Sequence, residues 1–344
     1  MPVAPVDGKG TVLYYEDSGP PGVDGSKEYL TLVLIHGLVF HGAIFHPLLP
    51  YASKYRVRLI FVNMRDFPGS SEFSEEELDA LGSRNPDIQT AATHAVGQNI
   101  AFCLQYLIRT LALPAITESE GKRAGGLALL GWSLGNFPTL AMLASGFQLP
   151  DETRDLLGRY LRTVIMYDPT TNQLGVDPPV GCYFPLRDPS LSPEECRDIF
   201  CRWITYYWTP VDDLQSVTED TLAARKALHE ELGANDATAR PTVDRMTEQQ
   251  YKSVVHLPMF LQSYPIIRQI TKETHGANFQ RAIFNTGALW PNVDILCVWC
   301  DRTLAQSVWA ARCLLGQAQE EHGSAVVRRV NVVKLTGGNH FVSS

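Results

Sequence analysis

The chain has 344 residues, 45% of them hydrophobic and 19% charged, a balance ordinary for a globular fold and unlike that of a disordered chain. A formal net charge of −8 without a Lys/Arg cluster argues against nucleic acid or an acidic lipid surface as a partner. No apolar run approaches the roughly 18 residues a membrane helix needs, and Met1 to Gly10 lacks the basic-then-apolar pattern of a secretory signal, so the expectation is a cytoplasmic enzyme without a membrane span.

In chain order, Thr31 to Ile35 is a short apolar run that suits a strand buried on both faces, and it ends in His36-Gly37-Leu38-Val39. Val57 to Val62 is a second strand. Arg65 to Ser71 reads as a structural loop, and Glu72 to Asp87 as an acidic, irregular surface excursion. Ala92 to Leu111 carries Val96, Ile100, Cys103, Leu104, Leu107, Ile108 and Leu111 on one helical face. Leu127 to Leu130 is a third strand with a helix, Phe137 to Ala144, directly behind it. Val164 to Tyr167, Ile295 to Trp299 and Val330 to Val333 complete six strands. Strands separated by helices predict an α/β fold with a mostly parallel central sheet.

The long stretch between the fourth and fifth strands shows helix starts instead of strands. Ser192-Pro193-Glu194-Glu195 combines an N-cap, a first-turn proline and a capping-box glutamate. Ser216 with Glu219, and Thr247 with Gln250, repeat the spacing, and Gly233 after Leu232 is a plausible stop. The expected organisation is therefore a core of 1–170 and 290–344, with 171–289 as a helical cap. Within it Phe200, Trp203, Ile204 and Tyr207 share a helical spacing. Trp203 and Tyr207 are the candidate substrate contacts, and the group favours a small hydrophobic acyl substrate over a sugar or peptide.

Chemistry concentrates at Gly131-Trp132-Ser133-Leu134-Gly135, between a buried strand and a helix. Such a G-x-S-x-G is weak alone, because a glycine-rich turn with an exposed serine has the same letters. On a strand-to-helix turn the glycines relieve a strained backbone and the helix N-terminus faces developing negative charge. Gly337-Gly338-Asn339-His340 follows the last strand, and imidazole can take and return a proton near neutrality.

The histidine-glycine turn after an early strand, the serine elbow, the cap before the penultimate strand and the late histidine occur in that order. Together they resemble the α/β-hydrolase superfamily over essentially the whole chain. The resemblance implies Ser133 as nucleophile, His340 as base, and the amides of Leu38 and Leu134 as oxyanion donors; His36 would be a structural turn residue. Arg65 to Ser71 stands where the family often has R-G-x-G-x-S, with Asp66 and Pro68 in place of glycines. Family members usually continue into a closing helix, whereas this sequence ends at Ser344, four residues past His340.

Two acids are open for orienting His340. Asp301 follows the penultimate strand, the commoner location, yet alignment of Trp299-Cys300 with the family's W-G-x-x-D puts Thr303 at the acid position. Asp168, in Tyr167-Asp168-Pro169, ends the preceding strand and resembles the pancreatic-lipase branch; it is the preferred of the two. A serine at the elbow implies acyl chemistry on esters, lactones or thioesters without a cofactor. The alternatives are a ligand receptor on the same fold, or hydrolysis of a carbon–carbon bond beside a ketone. The seven cysteines, including Cys297 and Cys300 at C-x-x-C spacing, lack the second pair or histidine run that zinc would need, so no metal is expected.

Overall fold

The computed structural model describes residues 1–22, 28–233, 236, 239–321 and 327–341. Its strands are β1 (Val3–Pro5), β2 (Val12–Asp17), β3 (Leu30–Ile35), β4 (Val57–Val62), β5 (Thr117–Ser119), β6 (Lys122–Ala124), β7 (Leu127–Trp132), β8 (Leu161–Tyr167), β9 (Asp294–Cys300) and β10 (Val330–Leu335). Eight of them form one sheet in the order β1-β2-β4-β3-β7-β8-β9-β10, and β5 and β6 make a separate hairpin. From β4 to β10 every pairing is parallel; β1 and β2 join antiparallel at one edge. β1 and β2 carry no clear strand signal in the sequence because their residues are mixed and half-exposed, as suits an edge.

Burial follows position in the sheet. Every residue of central β7 is buried, whereas β10, at the far edge, leaves Val333 and Leu335 exposed. The helices Pro86–Thr110 and Asn136–Ser145 cover the centre, and Ala305–Glu320 lies beside β9 and β10. The first of these begins six residues before the expected Ala92. Asn85 caps it through Asp87 N, and Pro86 occupies the first turn, where a proline costs no hydrogen bond.

The supposed irregular excursion at 72–87 holds a real helix, Glu75–Leu81, opened by a Ser74/Glu77 capping box. Arg65 fastens it, donating to both carboxylate oxygens of Glu77 at 3.0 and 2.8 Å. A run of glutamates reads as solvated surface, but at a helix N-terminus it is favourable.

Above the sheet edge lie short helices. Pro193–Trp203 starts at the Ser192 capping box and Glu248–Val254 at the Thr247 box, both as the spacing predicts. The helix Glu219–Ala223 is capped by Thr218, two residues past the expected Ser216. Lys272–Ile283 does not belong to this cover. It packs on Asn136–Ser145, burying Phe279, Ala282 and Ile283 in the main core, and Asn278 bonds His94 at 3.0 Å. Lys272–Ile283 lies inside the expected 171–289 segment and packs directly on a helix that covers the sheet. An amphipathic helix looks the same in sequence whichever surface it covers.

Candidate functional site

β7 runs into the elbow at Trp132. Ser133 has φ +51, a left-handed conformation that an L-residue holds only when its surroundings impose it. Two glycines make this possible by close approach. A Cβ on Gly135 would lie 2.5 Å from the Ile35 carbonyl oxygen and 2.6 Å from that of His36. One on Gly131 would lie 2.7 Å from the Gly135 carbonyl oxygen. Asn136 then ties the turn down, its Nδ2 donating to the carbonyls of Ser133 at 2.9 Å and Tyr167 at 3.3 Å.

Register brings the next group alongside. Trp132 pairs with Tyr167 across β7 and β8, so Ser133 and Asp168 leave the same edge of adjacent strands. Asp168 also has positive φ, +45, and is fully buried. Its carboxylate accepts from Cys300 N at 3.1 Å, from the Thr303 hydroxyl, and from His340 Nδ1 at 2.5 Å. Asp301 faces elsewhere: its Oδ1 accepts from Gly337 N at 2.8 Å, closing the loop that leads to His340. Of the two open acids, the structure brings Asp168 to the histidine. Thr303 occupies the family's usual acid position and supplies a hydroxyl to the carboxylate that stands one strand away. The sequence signal for it was its place in the W-G-x-x-D alignment.

The His340 loop is held from two sides. The Trp132 indole Nε1 donates to the His340 carbonyl at 2.7 Å, and Asn339 Nδ2 donates to Thr205 O at 2.8 Å and Thr242 Oγ1 at 2.9 Å. With Nδ1 on Asp168, Nε2 of His340 is buried and has no hydrogen-bond partner among the described residues.

Opposite the elbow is the 36–40 loop. His36 is fully buried; its Nδ1 contacts Gly37 O at 2.8 Å and its Nε2 accepts from Met64 N at 3.0 Å. Burial lowers its pKa to about 3, so it stays neutral and pins the loop. A Cβ on Gly37 would lie 3.2 Å from Ser133 Cβ, which shows how closely the loop approaches the elbow. The Leu38 amide donates no hydrogen bond to a described residue, and the Leu134 amide lies in the first turn of a helical segment, where no intrahelical acceptor exists.

Ser133, Leu38 and Leu134 line one cavity, of about 50 Å³, with Phe200, Ile204 and Leu304 among its apolar walls. Trp203 and Tyr207 do not line it. The helix ends at Trp203, so the 3.6-residue period never reaches 207. Trp203 packs among Phe184, Tyr183 and Trp208, and Tyr207 sits in a separate cluster with Leu228 and Ala239. Phe200 and Ile204, from the same stripe, are the residues that reach the cavity.

No group of three His, Cys, Asp or Glu side chains among the described residues is arranged to hold a metal ion. Cys297 and Cys300 are buried free thiols whose pKa values burial pushes well up, which suppresses thiolate chemistry. Among the described residues no helix is long and apolar enough to cross a membrane.

A parallel sheet of this strand order, with a serine elbow on a central strand, defines the class. The model of the alpha/beta hydrolase family matches residues 32–343, and the chain belongs to that family. Among solved structures it resembles a serine hydrolase from the polyaromatic-hydrocarbon-degrading bacterium Cycloclasticus zankles, at 11% identity over 99% of this chain and 92% of that one, with a TM-score of 0.51. It is also similar to an esterase from Rhodococcus sp., at 17% identity over 99% and 92% of the two chains and a TM-score of 0.47. A meta-cleavage product hydrolase from Pseudomonas fluorescens matches at 14% identity over 96% and 88%, with a TM-score of 0.46. At these identities the likeness is one of fold. A comparison with curated protein sequences finds no match.

Proposed function

We propose that the protein is a serine hydrolase that cleaves a hydrophobic ester, lactone or thioester through an acyl-enzyme. The observation that carries this reading is the buried His340–Asp168 pair, with Nε2 of the ring left open, beside a strained elbow serine. In this mechanism Ser133 Oγ attacks the carbonyl carbon and its proton passes to His340 Nε2. The amides of Leu38 and Leu134 take the oxyanion. The imidazolium, stabilised by Asp168, returns the proton to the leaving oxygen or sulfur as the bond to the acyl carbon breaks. Water then attacks the acyl-serine, giving its proton to His340, and Ser133 is regenerated. No cofactor enters any of these steps.

A fluorophosphonate probe tests the reading, because only an activated serine is phosphonylated. Expected is stoichiometric labelling of Ser133 with burst release from a p-nitrophenyl ester, both abolished by Ser133→Ala. Unlabelled folded protein after prolonged exposure would overturn it, and ligand binding without turnover would favour a receptor.

A further inference from the structure

The cavity at Ser133 is electrically unbalanced. Its lining includes one permanent cation, Arg268, and no carboxylate. His275, also in the lining, is held neutral because burial lowers its pKa to about 4, and the remaining polar lining groups are the uncharged Ser133, Thr170, Asn172, Gln173 and Tyr264. Arg268 is exposed, and its guanidinium makes no hydrogen bond or ion pair among the described residues. Asp188 lines the outer groove with Arg268 but makes no ion pair with it, its Oδ1 accepting from Ser190 N at 3.0 Å and Ser190 Oγ at 2.6 Å. Arg187, the neighbouring cation, donates to Asn172 Oδ1 at 3.2 Å.

Arg268 also borders a second, outer groove of about 460 Å³, sharing that wall with Leu186 and Tyr264. An anion could therefore reach the guanidinium from the solvent side while an attached acyl group enters the inner chamber. A fork of N–H donors without a hydrogen-bonded partner among the described residues suits a planar carboxylate, which it can bind through two parallel hydrogen bonds. The whole chain is acidic, with a net charge of −8, so this local cation opposes the prevailing field.

We infer that the substrate is a carboxy-acyl compound: its reacting carbonyl meets Ser133 and a carboxylate several atoms away is held by Arg268. This specificity rests on the acyl-transfer reading above, but binding can be measured without turnover. In a Ser133→Ala background, monobutyl glutarate and neutral butyl valerate are titrated calorimetrically. The acid is expected to bind at least about tenfold more tightly, as a charge-assisted pair implies. Adding R268Q should abolish that ratio and R268E should reverse it. Equal affinities, no binding of either compound, or a ratio that survives R268Q would overturn the inference. Turnover is read separately with mono-p-nitrophenyl glutarate and p-nitrophenyl valerate on the unmodified protein. Hydrolysis of both at equal efficiency would sink the carboxylate preference and leave the hydrolase reading standing. Charge-selective binding with no turnover of either would do the opposite.

Discussion

The edge of the sheet and the helical cover above it are built on different physical terms. At the edge, Ser133 and Asp168 both adopt left-handed backbone conformations, and each is surrounded by hydrogen bonds and close backbone contacts that leave it one arrangement. The cover consists of short helices, several with their own capping box, joined by loops and packed through aromatic pairs such as Trp203 with Phe184. Strain at the edge is tolerable because β7, which carries the elbow, is buried along its whole length and hydrogen-bonded to a parallel strand on each side, so it cannot shift to relieve it. The cover is held by local capping signals and by side-chain packing.

The sharpest way to break this contrast is at the acids. Asp168→Asn should lower turnover by about four powers of ten while the protein still folds, since the wrong histidine tautomer is then favoured. Asp301→Asn should cost far less, because that carboxylate serves the Gly337 amide. A steady-state comparison of the two variants decides it, and a crippled Asp301→Asn with an active Asp168→Asn would reverse the assignment. Gly135→Ala should come next, destabilising by about 3 kcal/mol or more, because its Cβ would meet two carbonyl oxygens that belong to β3 and its loop. Urea unfolding measures this; a variant within 1 kcal/mol of the parent, in order-of-magnitude terms, would mean that the edge is softer than argued.

The edge should also be the acid-sensitive region. Burial holds the folded pKa of His36 at about 3, below the ordinary imidazole value of 6.5. The unfolded chain therefore binds a proton there that the folded chain refuses. Stability from this residue is complete above pH 6.5 and falls by up to about 1.4 kcal/mol per pH unit as pH drops towards 3. His36→Gln, which keeps a donor and an acceptor, should show a slope shallower by about one proton across that window. Identical slopes would remove His36 from the account.

The smallest effects belong to the cover. Phe200→Ala should change the preference between short and long acyl chains by about tenfold, through the apolar surface it presents to the cavity. Trp203→Ala should lower thermal stability yet alter all chain lengths alike, because its ring contacts are with the cover itself. If Trp203 proves the selective position, Phe200 is not the side chain that meets the acyl chain.

How far each region was legible in sequence follows the same division. Glycines at 131 and 135 around Ser133, in a strand-to-helix context, announced the elbow because only that residue type survives so close an approach to backbone. The Ser192 and Thr247 capping boxes located two helices of the cover because capping is a local hydrogen-bond pattern. The glutamates after Ser74 are exposed, as expected, but lie in a helix and not in an irregular excursion, because charge says nothing of helix or loop without its cap. By itself, then, the sequence determined the alternation of strands and helices, the elbow and the late histidine, all of which depend on residues close together in the chain. Only the tertiary structure decided that Asp168 rather than Asp301 meets His340, that Lys272–Ile283 belongs to the core, and that Phe200 rather than Trp203 faces the cavity. The first two turn on strand register and on which surface a helix covers, set by partners more than a hundred residues distant along the chain, and the third on where a helix ends and which aromatic rings it packs against.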